Sequence, residues 1–234
     1  MAELKEKYKE RKLKGMRKII AERMSKSSRE NAVIMQSRTA DVTELLKIRE
    51  EKKVEYAEKN MGIPSINDLV LKATALALKE NPNLNSTFEN NIIRTYEDIN
   101  INMAVALPNG LITPVIRNVD KLTIWEISAL TKEVAEKAKT ARLMPDDMVG
   151  GTFTVTNVGM VNVEVSTPII NMPQVGILAV GTIVASLERI DGEILDRQKI
   201  YLSLTVDHRI IDGYPAALFL NSVCEKLENS QLLW

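Results

Sequence analysis

The chain has 234 residues, 45% of them hydrophobic and 26% charged, and its 31 Lys and Arg balance 31 Asp and Glu. That length and mix suit one sizeable globular domain, and a net charge of zero supplies no global field to gather nucleic acid. A single cysteine, Cys224, excludes an intramolecular disulfide and a metal site built on a cysteine cluster, and no apolar run approaches the roughly 20 residues that span a bilayer.

Residues 1–15, MAELKEKYKERKLKG, alternate Lys and Glu with too few large apolar residues for a core face, and read as a charged linker or arm. They lack the apolar centre of a signal peptide, so the sequence reads as cytoplasmic. From Met16, Ile19, Ile20, Arg23 and Met24 recur at helical spacing, which predicts an amphipathic helix ending in the Ser-rich SKSSREN. VIMQSRTAD then alternates as a strand does. Asp41 or Thr43 can cap the helix that follows, and Gly62 and Pro64 end it. Ser65 caps a further helix, INDLVLKATALALKENP, in which Leu69, Leu76 and Leu78 mark a largely buried face.

Residues 101–118, INMAVALPNGLITPVIRN, read as two strands around the turn PNG. Thr123 opens an Ala-rich amphipathic helix over 123–141. The last third is β-rich: GGTFTVTNVG, then VGILAVGTIVASLERI and QKIYLSLTVDH around Asp191-Gly192, a strong hairpin signal. After Gly213, YPAALFLNSVCEKLEN returns to helical spacing. Helices and strands alternate without an internal repeat, which predicts a single α/β domain over 16–234 with a mixed sheet flanked by helices.

The one histidine, His208, stands at the carboxyl end of the predicted strand IYLSLTV, a common place for chemistry in α/β proteins. Asp212 and Gly213 follow at +4 and +5, a coincidence expected on the order of once in 400 from ordinary residue frequencies. Gly213 suggests a backbone geometry other residues resist, and Pro215 suits the first turn of the next helix. Taken alone, these residues fit either a buried histidine with a loop-capping aspartate or an active-site loop.

DHRIIDG resembles the active-site signature of the dihydrolipoamide acyltransferases, the core components of 2-oxo acid dehydrogenase complexes, and the looser H-x-x-x-D-G pattern also occurs in chloramphenicol acetyltransferase. GLITPVIRN (110–118), GGTFTVTNVGM (150–160) and STPIINMPQVGILAVG (166–181) resemble further family blocks in the same order. The resemblance implies a chloramphenicol acetyltransferase-like fold, with His208 as general base, Thr156 as the hydroxyl donor to an oxyanion, and Asp212 holding the loop. It implies a charge pair between Asp212 and an N-terminal arginine, best matched by Arg17, with Arg23 the other choice. It also implies coenzyme A as substrate, no metal, and a lipoyl group carried on a separate domain absent from this chain. Its implied partners are a homotrimer assembling into a larger cage, a lipoyl domain, and decarboxylase and dihydrolipoamide dehydrogenase components bound through regions not present here.

The chemistry fits these residue types. A free thiol is mostly protonated at neutral pH, the thiolate is the nucleophile, and an imidazole can take the proton as sulfur attacks. By its residues alone Thr156 fits an ordinary strand position, although alternation places Thr152, Thr154 and Thr156 on one face. The apolar ending SQLLW fits either packing against its own chain or a contact between trimers. Small and apolar residues in NMAVALPNGLITP and VGMVNVEVSTPII are expected to line an apolar acyl pocket. Lys121, in VDKLT, reads as an ordinary loop lysine. Two other functions stay open: a non-catalytic cage-forming scaffold, and a coenzyme A-dependent acetyltransferase for a small hydroxylated acceptor.

Overall fold

The computed structural model describes residues 8–58, 62–108 and 110–234. Residues 8–14 are exposed and carry no helix or strand, and the first seven residues of the expected arm lie outside the described range. In chain order come α1 (Gly15–Glu30), β1 (Val33–Asp41), α2 (Thr43–Glu58), α3 (Ile66–Glu80), β2 (Ser86–Glu89), β3 (Ile92–Thr95), β4 (Ile101–Met103), β5 (Val105–Leu107), β6 (Gly110–Ile112) and β7 (Val115–Ile116). They are followed by α4 (Ile124–Lys139), β8 (Phe153–Asn157), β9 (Gly176–Ile190), β10 (Glu193–Asp207) and α5 (Gly213–Glu228).

Local chemistry sets several of these boundaries. The Ser65 side chain accepts from the Asp68 amide while the Asp68 carboxylate accepts from the Ser65 amide, a capping box that starts α3. Thr123 and Glu126 repeat the device at α4. Asp41 accepts from both the amide and the hydroxyl of Thr43 at the start of α2. Asp191 and Gly192, at φ 52° and 90°, make the two-residue turn between β9 and β10.

Six strands form one sheet in the order β1-β10-β9-β8-β4-β7. The pairs β1–β10, β10–β9 and β4–β7 are antiparallel, whereas β8 runs parallel to both β9 and β4. The expected mixed sheet is therefore present. Residues 101–118 give four short strands rather than two: β4 and β7 join the main sheet, while β5 and β6 pair antiparallel with each other as a separate sheet. β2 and β3 add a hairpin whose turn residues, Asn90 and Asn91, both have positive φ.

α5 packs on β1 and β10, α3 on α5, and α4 on α3. Phe153 of the sheet meets Phe219 of α5 edge to face at 5.5 Å, amid fully buried Leu69, Leu71, Leu78, Ile101 and Leu202. No helix among the described residues is long and apolar enough to cross a membrane. The chain end folds back on its own molecule. Leu233 is buried, Trp234 lies 6.1 Å from Trp125, and of the tip's apolar residues Leu232 alone is exposed, so this tip lends assembly less support than its apolar sequence offered.

Candidate active site

β10 ends at Asp207, and the chain turns through His208–Asp212 into α5. The His208 amide donates to the Ala32 carbonyl at 2.7 Å, tying the loop to the junction between α1 and β1. The imidazole is exposed, and its Nδ1 lies 3.5 Å from Asp212 Oδ1. Asp212 occupies the N-cap position of α5 without a side-chain capping bond, and Pro215 falls in the first helical turn.

Two expectations for this loop need correction. Gly213 has no left-handed φ, and a Cβ there would meet only Gln36 Nε2 at 3.6 Å and Ile34 Cδ1 at 4.0 Å, so neither backbone freedom nor close approach explains it. Its carbonyl instead accepts from Gln36. Within one chain, Asp212 pairs with His208 and not with Arg17. The helix explains why: the C-terminal end of α1 docks at the His208 loop, and Arg17 lies 14 residues earlier, about 21 Å away along the helix axis. Arg23 is also engaged elsewhere, donating to Asn171 Oδ1 and to the Met172 carbonyl.

The sequence reading missed a second arginine, inside the motif. Arg209 donates through Nε to Asp207 Oδ1 at 2.9 Å and through its terminal nitrogen to Oδ2 at 2.5 Å. The Asp207 carboxylate is 2% exposed, and its charge raises the Arg209 pKa still further, chiefly through these bonds. The signal was the two opposite charges flanking His208 at a strand end.

Thr156 sits near the carboxyl end of β8, where its hydroxyl has no hydrogen-bond partner among the described residues. It faces a cavity of about 310 Å³ whose apolar lining includes Met24, Leu111, Val158, Pro168 and Ile169. Thr154 lines the same cavity but donates to Gln174 at 2.5 Å, and Gln174 in turn donates to Asn102. Thr152 is held by the Asn100 carbonyl. Both segments expected to line an acyl pocket contribute residues: Ala104, Leu111 and Thr113 from the first, and Val158, Ser166, Pro168 and Ile169 from the second.

His208 and Thr156 do not meet within one protomer. Thr156 pairs with Ala179, which pairs with Ser203, and His208 is five residues beyond Ser203, just past the end of β10. At about 3.3 Å per residue and about 4.8 Å between strands, they lie about 17 Å apart along the sheet and about 10 Å across it.

Other reactive groups are less suitable. Burial pushes the Cys224 thiol up to about 12, which keeps it protonated and unreactive at neutral pH. Lys121 is an exposed loop lysine that donates to Asp98. Among the described residues no group of three or more His, Cys, Asp or Glu is placed to hold a metal ion.

Residues 5–234 match the family model for 2-oxoacid dehydrogenases acyltransferase (catalytic domain). The dihydrolipoyllysine-residue acetyltransferase component of the pyruvate dehydrogenase complex from Mycoplasma capricolum is 40% identical over 224 residues, covering 95% of this chain and 51% of the relative. The chain spans about half the length of the curated relatives it matches. A crystal structure described as a probable dihydrolipoamide acetyltransferase from Listeria monocytogenes superposes with a TM-score of 0.90 at 37% identity, covering 95% of each chain. The cubic core of a pyruvate dehydrogenase multienzyme complex gives 0.89 at 33% identity, covering 97% of this chain and 94% of that one. Chloramphenicol acetyltransferase, at 13% identity and a TM-score of 0.55 over 88% of this chain and 94% of its own, shares the fold. The chain belongs to the 2-oxoacid dehydrogenase acyltransferase family, of which it carries the catalytic domain.

Proposed function

We propose that this domain transfers an acyl group between the sulfur of dihydrolipoamide and the sulfur of coenzyme A, as the core of a 2-oxo acid dehydrogenase complex. The observation that carries the reading is the Thr156 hydroxyl, without a hydrogen-bond partner among the described residues and facing an apolar cavity, in a chain whose one histidine stands exposed at a strand end. One thioester is exchanged for another, so neither a metal nor a phosphate donor is required. His208 takes the proton from the attacking thiol as its sulfur bonds to the carbonyl carbon, and returns it to the departing sulfur when the tetrahedral intermediate collapses and the original C–S bond breaks. Thr156 donates its hydroxyl hydrogen to the oxyanion formed at the thioester carbonyl, and the apolar cavity takes the acyl chain.

The site is built by two protomers of a trimer, His208 from one and Thr156 from its neighbour. The separation of the two residues in one chain supports this arrangement, as do exposed Met16 and Ile19 on α1 and Met160 and Val161 after β8, apolar groups that an assembly would cover. Trimers combine into a larger cage in the cytoplasm. The lipoyl arm comes from a separate lipoyl domain, and the decarboxylase and dihydrolipoamide dehydrogenase components join through regions outside this chain. Which acyl group is carried is settled by turnover with several acyl-coenzyme A donors, and an apolar selector predicts unequal rates.

The direct test is acetyl transfer from acetyl-coenzyme A to free dihydrolipoamide, measured together with particle mass in solution. His208→Ala is expected to assemble normally and to lose about 10²–10⁴-fold in rate. Near-parental turnover in that variant contradicts the base assignment. Assembly without any transfer by the parent indicates a scaffold, and preference for a hydroxylated acceptor such as chloramphenicol indicates the other acetyltransferase class.

A further inference from the structure

We infer that Asp207 and Arg209 are positioning residues for His208, acting through a directed chain of hydrogen bonds that runs on through Asn31 and Ser27. The inference rests on His208 serving as the base. His208 stands between the two charged residues. On its amino side, the buried Asp207 carboxylate accepts from the Ala32 amide at 3.3 Å and from the Arg209 amide at 3.1 Å. On its carboxyl side, the Arg209 guanidinium grips that carboxylate in a fork and stacks over the Phe88 ring, 4.9 Å from its centroid. The peptide of His208 is thereby held at both ends, and its own amide is bound to the Ala32 carbonyl.

The chain beyond this clamp has a forced polarity. A guanidinium only donates, so Asn31 must turn its oxygen toward Arg209, at 3.0 Å, and its amide nitrogen toward Ser27 Oγ, at 2.9 Å. Ser27, with one hydroxyl hydrogen and that acceptor role already filled, donates onward to the Ile170 carbonyl at 2.7 Å. Ser27, Ile170 and Asp207 are all at most 2% exposed. Ile169 and Asn171, on either side of Ile170, line the cavity that Thr156 faces. The clamp thus ties the His208 loop to the segment that walls this protomer's own Thr156 cavity, the half-site that in the proposed trimer serves a neighbour's His208, and Asn171 receives a further bond from Arg23 on the same helix.

A lysine cannot reproduce the fork, because it presents a point charge rather than two fixed parallel donors. Arg209→Lys therefore keeps the charge opposite Asp207 while losing the geometry, and Asn31→Ala removes only the outward tie. Two readouts are taken on the assembled particle: kcat and KM for acetyl transfer to dihydrolipoamide, and the rate of carbethoxylation by diethyl pyrocarbonate, whose histidine signal reports His208 alone because the chain has no other histidine. Arg209→Lys is expected to lower kcat about tenfold to a hundredfold, the scale on which small misplacements of a reacting group act. Both KM values should stay within about twofold and His208 should react severalfold faster. Asn31→Ala should shift both readouts in the same direction by less.

Kcat and carbethoxylation rate both within about twofold of the parent in assembled Arg209→Lys overturn the inference, as does a rise in KM alone. Should Arg209→Lys not assemble, Asn31→Ala decides by the same two readouts. A parent without transfer activity overturns the functional reading instead, and the modification rates still decide whether the clamp positions the ring.

Discussion

Thr156 and Thr154 illustrate how neighbouring residues of one type come to differ. They share a strand, a face and a cavity, yet Thr154 spends its hydroxyl hydrogen on Gln174 while that of Thr156 meets no acceptor among the described residues. A free donor facing an apolar space is suited to a charge that develops only in the transition state, since it needs no rearrangement when that charge appears. Thr156→Val, which keeps the shape and removes the hydroxyl, is therefore expected to lower kcat by on the order of 10²-fold with KM little changed. A steady-state comparison of this variant with the parent checks this, and a rise in KM alone would make Thr156 a binding residue. At the same scale, Asp212 lies beside the imidazole and on the solvent side of the loop, whereas Asp207 lies beneath it and out of water. The two acidic residues of DHRIIDG thus act on different parts of the loop, Asp212 beside the imidazole and Asp207 on the amides of Ala32 and Arg209.

The elements explain how the loop and the cavity wall are kept in place. Ser65 and Asp68 begin α3, and Asp68 Oδ1 also accepts from Thr131 of α4, so one buried carboxylate joins a cap to a helix–helix contact. Ser65→Ala is expected to cost about 1 kcal/mol, read as a lower denaturation midpoint. Glu80 at the end of α3 accepts from Lys226 and Ser222 of α5, and those bonds hold its carboxyl below the usual range. A depressed acidic pKa contributes stability that is present above the ordinary carboxylate pKa and disappears as pH falls through the folded-state value. Glu80→Gln should flatten the acid side of the stability–pH curve, and an unchanged acid limb would remove Glu80 from the account.

The signals that act within a few residues were legible in the sequence: both capping boxes, the turn at Asp191-Gly192, and the apolar periodicity of α3, α4 and α5. The β2–β3 hairpin was missed although Asn90-Asn91, tolerant of positive φ, was a turn signal in plain sight. Strand order was not legible, because the pairing of β8 with β4 and β9 joins segments whose local patterns carry no mark of their partners. The role of Arg209 escaped for the same reason. Its tie to Asn31 spans 178 positions and appears only when α1 has docked. Gly213 shows the opposite error, where a residue type was read as a conformational need that the backbone does not have.

Across the whole molecule the sheet separates the two groups that the proposed chemistry unites. β10 carries His208 to one end of the sheet, and β8 carries Thr156 toward the other, two strands away. No side-chain rotation closes a gap of about 17 Å along the strands. In the proposed mechanism a protomer alone therefore holds two halves of two different sites, and activity belongs to the assembly. Mixed particles test this most directly. His208→Ala and Thr156→Val chains are each prepared as homogeneous particles, then dissociated and reassembled together, or co-expressed, and assayed for acetyl transfer to dihydrolipoamide. If the site is shared, some interfaces in the mixed particles join an intact His208 to an intact Thr156, and activity rises well above that of either parent particle. Mixed particles no more active than their parents, with subunit exchange verified, would contradict the shared site.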